Sequence, residues 1–201
     1  MTCVAEPSRT PKSQLWLVRH GETEWSASGR HTSVTDVELS SAGEQDADKV
    51  AGRLSAVAFA RVLTSPRSRA RRTAELAGFP DAEVLDDLAE WDYGEDEGLT
   101  TPQIRETRPG WTVWSDGPKA GESAEDVRRR ADRVVDLVRA TDGLVLVFTH
   151  GHFGRVLGAR WLGLHVAAGA HLGLSTASVS VLGWERETAV IDHWNDTGSL
   201  D

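Results

Sequence analysis

Four short segments of this chain carry side chains that could hold an oxyanion and react with it. They are Arg19-His20-Gly21, Ser65-Pro66-Arg67, Glu90, and Thr149-His150-Gly151-His152. A guanidinium offers a planar fork of donors that matches phosphate oxygens. An imidazole can attack as a neutral base or donate to neighbouring negative charge. A carboxyl can hand over a proton and take one back. Each segment follows a run that reads as a strand.

Leu15–Val18 is a short apolar run suited to a strand buried on both faces. A polar loop covers residues 24–41, and Ala47, Val50, Ala51, Leu54, Val57 and Ala58 then recur at helical spacing. Phe59–Thr64 reads as a second strand. Ser65-Pro66 reads as a helix start, with Ser as N-cap and Pro in the first turn, and that helix runs to about Gly78. Glu83–Leu88 is the candidate third strand, followed by irregular chain to Gly121. A helix begins at Ser123, with Val127, Ala131, Val134 and Val138 on one stripe. Leu144–Phe148 is the most strand-like run, His152–Leu162 a helix, and Ser178–Trp184 and Ala189–Ile191 two last strands. This alternation predicts an α/β fold: a three-layer sandwich whose mostly parallel central sheet carries helices on both faces. Ligands of such sheets bind beyond the carboxyl ends of the strands. The four segments therefore converge on one edge, where the helices after Ser65 and Gly151 would also aim their N-termini and favour an anion.

The 201 residues suffice for one domain, expected over 14–201 behind a flexible polar tail over 1–13. A net charge of −9 argues against a nucleic-acid surface and against anionic membranes. Lysine occurs only at 12, 49 and 119, so a local anion site must rest on arginine. Cys3 is the single cysteine, which excludes an internal disulfide and a cysteine metal cluster. The tail lacks the apolar stretch of a signal peptide, and no run reaches the ~20 apolar residues of a membrane span. The expectation is a cytoplasmic protein, with a homodimer as the commonest oligomer.

The ordered motifs resemble those of the histidine phosphatase superfamily, the phosphoglycerate-mutase-like proteins. Arg19-His20-Gly21-Glu22-Thr23 resembles its signature, and Ser65-Pro66-Arg67-Ser68-Arg69-Ala70 its second motif. Leu88-Ala89-Glu90-Trp91-Asp92-Tyr93-Gly94 looks like its acid segment, and Thr149-His150-Gly151-His152-Phe153 completes the set. Trp25-Ser26, Ser28-Gly29, His31-Thr32 and Thr35-Asp36 are similar to the branch of metal-independent sugar-phosphate phosphatases. Ser26 stands where many relatives carry Asn, and Ser33 where a Gly is common.

The resemblance implies a phosphomonoesterase acting on small phosphorylated metabolites through a phosphohistidine at His20. Arg19, Arg67, His150 and Gly151 would hold the phosphate, and Glu90 would protonate the leaving group and then activate water. Like charges at Asp92, Glu95, Asp96 and Glu97 would act on Glu90 if they lie close to it. Ser26, Thr32, Ser33 and His152 would meet substrate hydroxyls. No metal or other cofactor is expected, because arginine and histidine supply the positive charge.

Bland readings compete at several positions. Arg69, Arg71 and Arg72 read as surface or ion-pair residues, and Arg128-Arg129-Arg130 as a solvated helix face. Glu22 reads as a structural partner of an arginine. A cofactor-dependent phosphoglycerate mutase is the alternative activity. Such mutases carry a longer insertion after the acid, with basic groups for a substrate carboxylate; here about thirty residues separate Glu90 from Gly121, and Lys119 is their only lysine. A non-catalytic phospho-ligand module is the third reading; it would be expected to lack His20 or Glu90.

Overall fold

The computed structural model describes residues 13–198. Residues 1–12, with Cys3 and most of the expected tail, lie outside the described residues, as do 199–201. Ser13 belongs to the fold, since it is buried and its carbonyl accepts the Trp184 indole N–H at 2.8 Å.

Six strands form one sheet: β1 (Gln14–Arg19), β2 (Arg61–Thr64), β3 (Glu83–Val84), β4 (Leu144–Thr149), β5 (Val179–Glu185) and β6 (Thr188–Asp196), in the order β3-β2-β4-β1-β5-β6. The first four in that order are mutually parallel, and β5 and β6 run antiparallel at the other edge. Arg19 pairs with Thr149 and Thr64 with Phe148, so β1, β2 and β4 end level with one another. That register brings the residues following three strands to one edge.

Alternation along each strand divides the core into two layers. Leu15, Leu17, Val145 and Val147 face α5 (Ala124–Ala140) and α6 (Gly151–Trp161), meeting Val127, Val134, Phe153 and Leu157. Val18, Leu146 and Phe148 face α2 (Ser41–Leu54) and α3 (Ser68–Leu76), meeting Val50, Leu54 and Ala74. Each fully buried Leu, Val or Phe contributes roughly 1.5–3 kcal/mol. Among the described residues, no helix is long and apolar enough to cross a membrane.

Four local expectations need correction. The third strand is only two residues long, and Asp86–Leu88 turns into a 3₁₀ helix. The helix after β2 starts at Ser68 with Arg67 in the N-cap position, so Ser65 does not cap it. Within the loop 24–41, the short α1 (Glu24–Ser28) is held by a capping box between Thr23 and Ser26. Within 89–121 lies α4 (Thr101–Thr107), with its own capping box from Thr100 to Gln103.

Candidate active site

His20 is the first residue beyond β1, and its N–H donates to the Thr149 carbonyl at 2.9 Å, tying the ends of β1 and β4 together. Its ring Nδ1 lies 2.7 Å from the Gly21 carbonyl. A carbonyl only accepts, so Nδ1 carries the hydrogen and Nε2 keeps its lone pair. Burial, then the charges of Arg69 and Arg19, push this imidazole well below the ordinary histidine range, so it is neutral at pH 7. The loop is pinned from both sides. Gly21 N–H donates to Thr73 Oγ1 at 3.0 Å, and a Cβ on Gly21 would lie 2.3 Å from the Gly43 carbonyl oxygen. Glu22 accepts the Ser40 hydroxyl at 2.9 Å rather than pairing with an arginine.

Cationic groups gather around His20. Arg19 Nη1 donates to the Leu174 carbonyl at 2.6 Å, and Gly151 allows close approach, since a Cβ there would sit 3.3 Å from the guanidinium carbon. His150 is fully buried, its ring centroid 5.1 Å from that of His20, with Nε2 2.7 Å from Ser65 Oγ. Burial and the neighbouring cations, Arg69 first, push its pKa well below the usual value. Arg69 is fully buried on α3, with its Nη atoms reaching the carbonyls of Thr32, Ser33 and Thr35 at 3.2–3.3 Å. The expectation of surface or ion-pair contacts for Arg69 holds in part: it is not on the surface, and it does pair with Asp36, at 3.8 Å. Arg67 and Arg69 are not among the residues lining the open cavity, and neither is His150. Five buried side-chain polar atoms among the described residues have no hydrogen-bond partner, and four belong to this group: Arg19 Nε, Arg67 Nε, Arg69 Nε and His150 Nδ1. Buried donors are normally paired, so such a concentration marks a place built for acceptors.

The helix N-termini do point to this edge, but protein carboxylates take their N–H groups. Glu90 Oε1 accepts Phe153 N–H at 2.7 Å and Trp91 N–H at 2.9 Å, and Oε2 accepts His152 N–H at 3.0 Å. Asp36 occupies the start of α3, accepting Ser68 N–H at 2.9 Å. The acidic stretch does not crowd Glu90. Glu95 pairs with Lys119, Asp96 with Arg108, and Glu97 accepts Ser33 and Thr35 N–H groups at 3.0 and 2.7 Å. Arg130, expected on a solvated face, instead clamps the acid segment. It donates to the Asp87, Ala89 and Glu90 carbonyls, pairs with Glu122 at 2.7 Å, and lies over the Phe153 ring.

In front of His20 and Glu90 opens a cavity of about 180 Å³, smaller than the roughly 300–1,000 Å³ that takes a drug-sized ligand. Arg19, Gly151, Ser26, Thr32 and His152 line it as expected. The Ser26 hydroxyl is already engaged with Thr23, donating to its carbonyl and accepting its N–H. Ser33 is buried behind the wall, donating to Glu97 and accepting Tyr93 N–H, so it shapes the site indirectly. Burial, then Arg155, His31 and Arg19, keep His152 neutral, and burial with Glu90 keeps the Tyr93 phenol protonated. Tyr93 therefore donates to His152 Nδ1 at 2.5 Å, leaving the His152 hydrogen on Nε2. Arg30, His31, Tyr93 and Arg155 also line the cavity, with Gly29 and Leu174, and none was foreseen as a site residue. His31 tilts against Tyr93 with ring centroids 4.7 Å apart. Among the described residues, no group of three or more histidine, cysteine or acidic side chains is disposed to hold a metal ion.

The chain is similar over most of its length to known phosphatases. An acid phosphatase of Mycobacterium tuberculosis is 45% identical over 185 residues, covering 89% of this chain and 91% of its own. A sedoheptulose 1,7-bisphosphatase of Saccharomyces cerevisiae is 34% identical, covering 80% of this chain and 70% of its own. The structure of a mycobacterial glucosyl-3-phosphoglycerate phosphatase in complex with VO3 superposes with a TM-score of 0.82 at 30% identity, over 92% of this chain and 99% of that one. The family model of the histidine phosphatase superfamily, branch 1, matches residues 15–197, and the chain belongs to that family.

Proposed function

We propose that the protein hydrolyses small phosphomonoesters, sugar phosphates among them, without a metal, through a phosphohistidine at His20. One observation carries the reading: a neutral histidine with a free Nε2 stands among buried guanidinium and imidazole nitrogens that have no acceptor in the protein. Nε2 attacks phosphorus and the bond to the leaving oxygen breaks. Arg19, Arg67 and Arg69 balance the charge that spreads over the equatorial oxygens, and neutral His150 offers a hydrogen bond to them. Glu90, on the cavity wall, gives the leaving alkoxide its proton. It then takes a proton from the water that attacks the phosphohistidine, releasing phosphate and restoring neutral His20. The similarity to the mycobacterial acid phosphatase and the yeast bisphosphatase supports the same reading.

The mutase reading is disfavoured by the basic residues after Glu90. Arg105 donates to the Trp111 carbonyl, Arg108 pairs with Asp96 and Lys119 with Glu95, and none lines the cavity. The match over residues 15–197 supports one catalytic unit over 14–201. The absence of a membrane-crossing helix among the described residues is compatible with a cytoplasmic setting. Rapid acid-free quenching with ³²P-labelled sugar phosphate tests the mechanism. Wild type acquires label on His20 and releases phosphate, and His20→Ala does neither. Turnover that persists in His20→Ala overturns the proposal, and 3-phosphoglycerate isomerisation faster than phosphate release restores the mutase.

A further inference from the structure

Arg19 lines the cavity beside His20, and a distant part of the chain sets its orientation. Among the described residues, its side chain donates one hydrogen bond, from Nη1 to the Leu174 carbonyl at 2.6 Å, while the buried Nε has no acceptor. Leu174 belongs to an irregular strap over 172–178, between the 3₁₀ helix Val166–His171 and β5. The strap also closes on the backbone of the site. Ala177, in the left-handed conformation at φ 53°, sends its N–H to the Arg19 and His20 carbonyls at 3.1 and 3.2 Å. A segment outside the sheet ladder opens easily unless other elements hold it.

Three side chains remote from the cavity hold this strap. Arg53 of α2 donates to the Ala177 carbonyl at 2.8 Å, and the Trp194 indole N–H donates to the Gly173 carbonyl. The third is Asn195 of β6, whose Oδ1 accepts Ser175 N–H at 2.6 Å and whose Nδ2 donates to Ser175 Oγ at 3.3 Å. The strand is shaped to aim that amide. Val179 pairs with Asp196 and Val181 with His193, so Trp194 and Asn195 together oppose the single Ser180. Such a bulge re-aims a side chain out of the strand's alternation. Asn195 has φ 59°, a left-handed conformation that asparagine adopts more readily than most residues. Its N–H donates to Ser180 Oγ at 3.0 Å and fixes the bulge.

We infer that Asn195, on the edge strand and outside the cavity, is a positioning residue for phosphate binding: through one peptide unit it holds the Arg19 guanidinium in place beside His20. The inference rests on the phosphatase reading and adds a residue that touches no substrate. The Leu174 carbonyl and the Ser175 N–H are the two ends of the same planar trans peptide, so anchoring the N–H aims the carbonyl. The three groups form a chain, Asn195 to peptide to Arg19, and hydrogen bonds in a chain polarise one another.

Two variants test this with an aryl phosphate as substrate. Asn195→Gly keeps the left-handed backbone and removes the amide, whereas Asn195→Asp keeps an acceptor for Ser175 N–H. Asn195→Gly is expected to lose roughly tenfold in kcat/KM and to bind inorganic phosphate several-fold more weakly as an inhibitor, while Asn195→Asp stays within about twofold of wild type. In an Arg19→Gln background no guanidinium remains to be aimed, so Asn195→Gly should change neither quantity further. Equal losses in both backgrounds assign Asn195 to folding and overturn the inference. Where a variant does not fold or turns over too slowly to measure, hydrogen exchange in the wild type decides. Saturating inorganic phosphate is expected to slow the Ser175 and Ala177 amides more than those of β5 and β6 around Gly183 and Val190. Uniform slowing overturns the inference. Asn195→Gly equal to wild type, with His20 still labelled, overturns it and leaves the phosphatase intact. No turnover and no label on His20 in the wild type overturns both.

Discussion

Thr73 and Gly21 share a hydrogen bond that fixes the nucleophile from beneath. The Thr73 hydroxyl accepts Gly21 N–H at 3.0 Å and donates to the Arg69 carbonyl at 2.7 Å. Gly21 in turn presents the carbonyl that sets the His20 tautomer. Thr73→Val keeps the shape and removes the acceptor, leaving a buried N–H unpaired at a cost of about 1–3 kcal/mol. Urea denaturation is expected to register that loss, and kcat to fall because the Gly21 carbonyl is no longer held. Thr73→Ser restores both. A Thr73→Val protein equal to wild type in both measurements would show that the contact does nothing for His20.

Arg130 and Glu122 make a partly buried ion pair behind the acid segment, with side chains 16% and 13% exposed. Arg130→Gln strands Glu122, at a cost between the ~1 kcal/mol of an exposed pair and the ~3–5 kcal/mol of a fully buried one. Adding Glu122→Gln removes the stranded charge, so the double variant regains much of the stability. Its kcat stays low, because the carbonyls of Asp87, Ala89 and Glu90 still lack their clamp. Recovery of kcat together with stability would assign Arg130 to folding alone.

The convergence of His20 and His150 was legible because strand ends are read from short apolar runs, and parallel register then does the alignment; Glu90 lies six residues beyond β3 and is brought in by the N–H groups of His152 and Phe153. Local signals failed where tertiary contacts outbid them. Ser65 looked like an N-cap but spends its hydroxyl on His150, so α3 starts two residues later than expected. The α1 helix buries no residue, and without an apolar stripe it leaves no periodic trace. α4 did leave one, the Thr100-Thr101-Pro102-Gln103 capping box. Arg69 shares the buried face of α3 with Ala70, Thr73 and Ala74, and an arginine on that stripe was the available sign of its role. Arg30 and Arg155 come from a loop and a helix far apart in sequence, and no spacing rule links them.

The direction of the His20 shift predicts its titration. Its neutral ring is favoured by burial, Arg69 and Arg19, so lowering the pH from 8 to 6 should leave it unprotonated. ¹⁵N-histidine NMR is expected to keep the His20 nitrogens at neutral-ring positions across that range, with the hydrogen on Nδ1. Nucleophilic attack therefore survives into mildly acidic solution, as an acid-type phosphatase requires. A His20 midpoint near the ordinary value of about 6.5 would remove that explanation.

Three histidines held far from their ordinary pKa also make folding depend on pH in a stated direction. His20, His150 and His152 are each held well below the ordinary histidine value of about 6.5. The unfolded chain, with ordinary histidines, takes up protons as the pH falls through about 6.5, while the folded chain does not. Stability is thus complete above that value and declines below it, by up to about 1.4 kcal/mol per pH unit for each histidine. Buried His31 is shifted the same way. Glu97, whose pKa is lowered from 4.5, loses its contribution only in more acidic solution, so the window from pH 7.5 to 5.5 isolates the histidines. Urea midpoints in phosphate-free buffer should drop across that window. His152→Gln, whose amide can still accept from Tyr93, should shrink the drop by one histidine's share. Midpoints that do not move between pH 7.5 and 5.5 would mean that these rings titrate alike in the folded and unfolded states, and the neutral nucleophile would lose its physical basis.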